Sequence, residues 1–191
     1  MRSLRYDAVV IGASCGGLAA LAQIFALLPA GYPLPVLVAQ HLHPLQDEGF
    51  SLHLGARCPL PIKVADEKEA IAGGQIYFAP PNYHLLVEKD LTLALSVDER
   101  VQFSRPSVDV LFESAAEAYG SRLVGVVLTG ANSDGADGLR MIKARGGLAV
   151  AQDPATAVAD CMPRAAIAAV AVDHVLPLDG IGLLLAALGR P

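Results

Sequence analysis

Four short runs of almost uninterrupted apolar residues, at 8–11, 35–39, 123–128 and 148–151, constrain this chain most strongly. A strand wet on one face alternates apolar with polar residues, whereas a strand covered on both faces reads as a continuous apolar run. Such runs, separated by helix-patterned segments, predict parallel strands buried between two helical layers. Segment 18–28, rich in alanine and leucine and stopped by Pro29 and Gly31, supplies the first crossover helix, so 8–39 reads as a βαβ unit.

The middle of the chain changes character. Segments 62–65, 75–79, 84–87 and 91–97 are strand-like, with turns at Gly73-Gly74, Pro80-Pro81 and Glu88-Lys89-Asp90. They predict an antiparallel patch whose last two members form a hairpin. Ser107 is placed to cap a helix reaching to about Tyr119. Helices at about 135–145 and 163–169 and a closing strand and amphipathic helix complete the pattern. With 191 residues and no internal repeat, low-complexity tract or linker, a single domain spanning 1–191 is expected. The fold class is α/β: a doubly wound, mainly parallel sheet with a local antiparallel hairpin, Rossmann-like and three-layered.

Composition narrows the function classes. A chain that is 53% hydrophobic and 17% charged can bury a large core, which excludes disorder as a whole. The net charge of −5 and the absence of tryptophan argue against a nucleic-acid partner, which demands a basic face or a stacking platform. No apolar run is long enough to span a membrane, and Met1 precedes a core strand without a signal peptide, so membrane insertion is not expected. Cys15, Cys58 and Cys161 are odd in number and far apart, as reduced thiols in a cytoplasmic protein would be.

The chemistry concentrates where the first strand ends, in Tyr6-Asp-Ala-Val-Val-Ile-Gly-Ala-Ser-Cys-Gly-Gly-Leu18. A dinucleotide cradle needs G-x-G-x-x-G and an acidic residue closing the second strand. Here Ser14 takes the middle glycine's place and the second strand closes on Gln40-His41, so no cofactor is expected. Gly12-x-Ser14-x-Gly16 instead has the form of a nucleophile elbow, with the following helix N-terminus offering N–H groups to an oxyanion. The competing reading is that Ser14 only caps that helix. A serine nucleophile requires a base and an orienting carboxylate. His41 follows the second strand and Asp134 follows the strand 123–128, so all three fall beyond the carboxyl ends of strands. The chain order Ser, His, Asp differs from the Ser, Asp, His of α/β-hydrolases. His41 as a buried histidine and Asp134 as a cap for the helix beginning at Gly135 are the bland alternatives. His41-x-His43 offers too few metal ligands, with Asp47 and Glu48 beyond a turn, so no metal is expected. Cys15 could rival Ser14 as nucleophile, but its backbone N–H is the better candidate, as an oxyanion donor.

With these residues in place, the sequence resembles the catalytic domain of the CheB family of chemotaxis receptor protein-glutamate methylesterases. The resemblance rests on Ile11-Gly-Ala-Ser-Cys-Gly-Gly17, Gln40-His41, Ala79-Pro80 with His84, Arg105-Pro-Ser-Val-Asp-Val-Leu-Phe112, Leu128-Thr-Gly130 with Asp134-Gly-Ala136, Ala151-Gln-Asp153 and Met162-Pro-Arg164. It implies hydrolysis of glutamate γ-methyl esters on the cytoplasmic helices of chemoreceptors, with methanol released and receptor glutamines open to deamidation. The family's serine, histidine and aspartate fall on Ser14, His41 and Asp134, and its oxyanion is met by the Cys15 N–H with a second donor in the turn 130–132. The implied partner is a methylated chemoreceptor, with a separate receiver domain or a sensor kinase as a further partner. The chain departs from the family pattern at Ala131, where a methionine is usual, at Cys15, where a threonine is usual, and in beginning at the catalytic strand without a receiver domain. The last departure leaves two readings open: a stand-alone esterase serving a chemosensory system other than flagellar chemotaxis, which the starting Met1 favours weakly, or a piece of a longer product. A catalytically silent binding module on a receptor or kinase is the alternative from a different class.

Overall fold

The apolar runs form the centre of a sheet. The computed structural model describes residues 5–42, 54–55 and 58–190. Strands β1 (Ala8–Ala13), β2 (Val36–Gln40), β3 (Ile62–Val64), β4 (Ile76–Phe78), β5 (His84–Val87), β6 (Leu93–Ser96), β7 (Leu123–Val127), β8 (Leu148–Gln152) and β9 (His174–Leu176) alternate with α1 (Gly17–Phe25), α2 (Val108–Tyr119), α3 (Ala136–Ala144), α4 (Cys161–Ala169) and α5 (Leu178–Leu188). Seven strands pair in the order β3-β4-β2-β1-β7-β8-β9, every neighbour parallel. β5 and β6 form a separate antiparallel hairpin, with His84 opposite Ser96. The antiparallel patch expected from 62–97 is therefore confined to its last two strands, while β3 and β4 extend the parallel sheet.

Burial explains why the runs lack alternation. Every residue of β1, β2 and β7 is buried. Val9, Ile11 and Ala13 face the layer of α1 and α5, where Leu21, Ile24, Phe25, Ile181 and Leu185 pack. Ala8 and Val10 face α2, α3 and α4 through Phe112, Leu139, Ile142, Met162 and Ala166, and the hairpin joins this second layer through Leu85 and Leu93. Both faces thus remove apolar area from water, at about 25 cal/mol per Å². α1 is shorter than expected: the N–H groups of Leu27 and Leu28 bond three residues back, to Ile24 and Phe25, because Pro29 disfavours α-helical backbone at the residue before it.

The winding positions the site. From β1 the chain builds outward through β2, then returns to the other side of β1 as β7, so strand order reverses between β1 and β7. Loops at the carboxyl ends of β1, β2 and β7 meet at this switch point. Close approach of α2 to β1 requires a glycine there, since a Cβ on Gly12 would lie 2.1 Å from Val108 Cγ1. Gly12→Ala is accordingly expected to destabilise the fold by about 1–3 kcal/mol through overpacking. Urea unfolding should show the double variant Gly12→Ala/Val108→Ala recovering most of that loss.

Candidate active site

Ser14 follows the last residue of β1, and its N–H donates to Thr129 O at 2.9 Å, fastening it to the β7 loop across the switch point. The chain turns through Gly16, whose left-handed φ of 77° makes it the N-cap of α1. Gly17 N–H donates to Ser14 O at 2.8 Å. The Ser14 side chain does not cap α1, and its hydroxyl makes no hydrogen bond to a described residue. Gln40, buried at the end of β2, donates from Nε2 to Ser14 O at 2.9 Å and to His41 O at 3.0 Å. A Cβ on Gly17 would lie 2.1 Å from Gln40 Oε1, so this glycine makes room for the amide that locks the turn.

His41 leaves β2 with its N–H on Ala13 O at 3.0 Å. Its ring Nε2 lies 2.8 Å from Asp134 Oδ2. Ser14 and His41 line one cavity of about 270 Å³ with Gly16, Gly17, Gln40 and Leu42. Asp134 is fully buried and also accepts the Ser107 hydroxyl at 2.9 Å, Val108 N–H at 2.7 Å and Asp109 N–H at 2.9 Å. Its side chain thus caps α2 rather than α3, the helix it precedes, which is capped by Gly135 at a φ of 98°. Burial pushes the Asp134 carboxyl up, but the His41 hydrogen bond, the two backbone donors and the His41 charge outweigh it and hold the group below the usual carboxylate range. An ionised Asp134 keeps the proton on Nε2, leaving Nδ1 as the ring nitrogen with a free lone pair. The structure therefore brings His41 and Asp134 into contact and sets Ser14 on the same cavity.

Sequence reasoning missed the shell that holds Asp134. Ser107, read only as a helix cap, donates its hydroxyl to Asp134 as well as accepting from Val110 N–H. Ser107 N–H in turn donates to His84 Nδ1 at 3.1 Å, while His84 Nε2 bonds Glu99 O at 3.0 Å, which fixes the neutral tautomer of this buried imidazole. Asp109 reciprocates from the start of α2: its Oδ1 accepts Gly135 N–H at 2.9 Å and Gly138 N–H at 2.7 Å. Two aspartates cross-cap two helices. The signal was present in Arg105-Pro-Ser-Val-Asp109, whose Ser107 and Asp109 become buried. A pattern of residue types does not say which distant donors such residues will meet.

Burial, opposed by the Gly138 N–H and reinforced by the charges of Asp134 and Asp137, lifts the Asp109 carboxyl to about 7. A raised carboxylate pKa means that the native state binds the proton more tightly than the unfolded chain, so stability falls as pH rises from about 4 to about 7. Asp134 has the opposite sign: its contribution is present above the ordinary 3.8 and is lost as pH falls through its lowered value. Asp109→Asn, which retains an oxygen for Gly135 and Gly138, should flatten the decline between pH 4 and 7 in urea-unfolding measurements and leave the acid-side loss in place.

The Cys15 N–H has no partner among the described residues, and its thiol is exposed. In the turn 130–132, the Gly130 N–H is committed to Ala159 O at 2.9 Å, which removes it as an oxyanion donor. The N–H groups of Ala131 and Asn132 have no partner among the described residues. Gly130 itself is indispensable to the packing, since a Cβ there would lie 1.9 Å from Met162 Sδ and 2.9 Å from Ser14 Cβ. Among the described residues no three His, Cys, Asp or Glu side chains converge as a metal-binding set. His43, Asp47 and Glu48 lie outside the described residues.

The model of the CheB methylesterase family matches residues 9–185. The chain belongs to the CheB methylesterase family. A relative in Leptospira interrogans, assigned as a protein-glutamate methylesterase/protein-glutamine glutaminase, is 52% identical over 187 residues, which are 98% of this chain and 97% of that protein. Protein-glutamate methylesterase FrzG of Myxococcus xanthus is 40% identical over 94% of this chain, which spans 54% of FrzG's length. The crystal structure of the Thermotoga maritima CheB methylesterase catalytic domain superposes with a TM-score of 0.91 at 33% identity, covering 96% of this chain and 98% of that one. The parallel seven-stranded sheet with its small antiparallel pair is thus the CheB catalytic-domain fold.

Proposed function

We propose that this CheB-family chain hydrolyses glutamate γ-methyl esters on the cytoplasmic helices of methylated chemoreceptors and releases methanol, with Ser14 as nucleophile, His41 as general base and Asp134 as its orienting carboxylate. The observation that carries the reading is the 2.8 Å contact between His41 Nε2 and Asp134 Oδ2, on a cavity that Ser14 shares with His41. Because Nε2 is engaged by the carboxylate, Nδ1 takes the Ser14 proton as the hydroxyl attacks the ester carbonyl. Asp134 stabilises the imidazolium that forms. The tetrahedral oxyanion is met by the Cys15 N–H and a second donor from Ala131 or Asn132. Collapse expels methoxide, which leaves as methanol with the imidazolium proton, and water then attacks the glutamyl-serine ester under the same base catalysis. The same acyl transfer on glutamine would release ammonia, in line with the second activity in the Leptospira relative's name.

The test is methanol release from a methylated receptor cytoplasmic fragment, measured against pH with and without a chelator. Turnover is expected to rise along a single acid limb, because only neutral imidazole accepts the serine proton, and to be indifferent to the chelator. His41→Gln should abolish the limb and most of the rate. Activity lost to the chelator and restored by zinc would replace the serine mechanism with a metal-dependent one.

A further inference from the structure

Phe103 is the most exposed large apolar residue among the described ones, at 93%. It sits at the tip of a tight, hydrogen-bonded turn. The N–H of Val101 donates to Ser104 O at 3.2 Å and that of Ser104 to Val101 O at 2.9 Å, closing a two-residue turn. Both central residues, Gln102 at φ 49° and Phe103 at φ 62°, are left-handed without being glycine. A turn of this kind favours Asn-Gly, so a glutamine and a phenylalanine there cost stability and gain no burial. The base of the loop is pinned on several sides: the Arg105 guanidinium donates to Asn82 Oδ1 and to the carbonyls of Val97 and Asp98, and His84 holds Glu99 O. The tip is also continuous with the candidate site, because Phe103 and Arg100 line a cavity of about 110 Å³ together with His41, Leu42 and Ser104.

We infer that the tip 100–104 docks the substrate protein, with Phe103 seated on an apolar side chain of the segment that carries the ester and Arg100 on its carboxylates. This rests on the esterase reading. An ester side chain that reaches Ser14 and His41 leaves its parent backbone outside their cavity, and the neighbouring cavity, which shares His41 and Leu42 with it, is lined by Phe103 and Arg100. Each turnover converts an ester into a carboxylate, so a segment with several such sites is acidic. The enzyme carries a net charge of −5, and its overall field opposes an acidic partner. A cation at the point of contact offsets that repulsion, and Arg100 makes no ion pair among the described residues. An exposed aromatic beside a cation is the composition of an interface hot spot.

The test compares kcat/KM for a methylated receptor cytoplasmic fragment with kcat/KM for p-nitrophenyl acetate, which is too small to reach the tip. Phe103→Ala should lower the first about tenfold to a hundredfold and so reduce the ratio of the two by a similar factor. Arg100→Glu should also reduce the ratio, most strongly at low salt, where the charge contact is least screened. Unchanged kcat/KM on the receptor fragment, or an equal loss on both substrates, overturns the docking role. If the wild-type protein cleaves p-nitrophenyl acetate through Ser14 yet releases no methanol from the receptor, the esterase reading itself falls and takes the docking proposal with it.

Discussion

Ser14→Ala is expected to lower methanol release by about four to six powers of ten and to leave the fold intact. The two halves of this expectation have separate causes. The Ser14 hydroxyl makes no hydrogen bond to a described residue, whereas its backbone N–H and carbonyl, which hold the turn to Thr129, Gly17 and Gln40, survive the substitution. Circular dichroism and the unfolding midpoint should therefore match the wild type. Chemistry should collapse, since Asp134 and His41 remain aligned with nothing to deprotonate. The variant also decides between neighbours, because the Cys15 thiol is exposed and is not part of the wall that Ser14 and His41 share. Residual turnover near the wild-type level, abolished by alkylating Cys15, would hand the nucleophile's role to the thiol.

Asp134→Asn should cost about four powers of ten in turnover, together with stability that Ser14→Ala does not touch. Four donors converge on the Asp134 carboxylate, from His41, Ser107, Val108 and Asp109. An asparagine supplies one oxygen. If its amide nitrogen faces His41 and Val108, the imidazole must turn its lone pair to Nε2 and carry its proton on Nδ1, which then cannot accept from Ser14. If the nitrogen faces Ser107 and Asp109 instead, the hydroxyl can rotate but the Asp109 N–H is left buried without an acceptor. Each buried donor stranded in this way costs about 1–3 kcal/mol. A variant with wild-type stability and only a small loss of rate would show that the carboxylate neither caps α2 nor orients His41.

Much of the architecture was legible from patterning, because burial on both faces suppresses the polar alternation of a strand, and the runs at 8–11, 35–39, 123–128 and 148–151 carry that mark plainly. Ser14, His41 and Asp134 could be proposed together for a related reason: each follows a strand of that kind, and parallel strands send their carboxyl ends to one edge. Local sequence therefore determined the layers and the sheet edge beyond which Ser14, His41 and Asp134 fall. It did not determine that β3 and β4 would join the sheet in parallel, which depends on which strand edges the crossovers bring together. Nor did it assign the Gly130 N–H to Ala159, an arrangement set by a loop some thirty residues away. The cross-caps between Asp134 and α2 and between Asp109 and α3, the Ser107 relay to His84, and the choice of Nε2 as the nitrogen that meets the carboxylate belong to tertiary structure alone. A buried donor or acceptor takes whichever partner the fold brings within hydrogen-bonding distance, and that partner can lie anywhere in the chain.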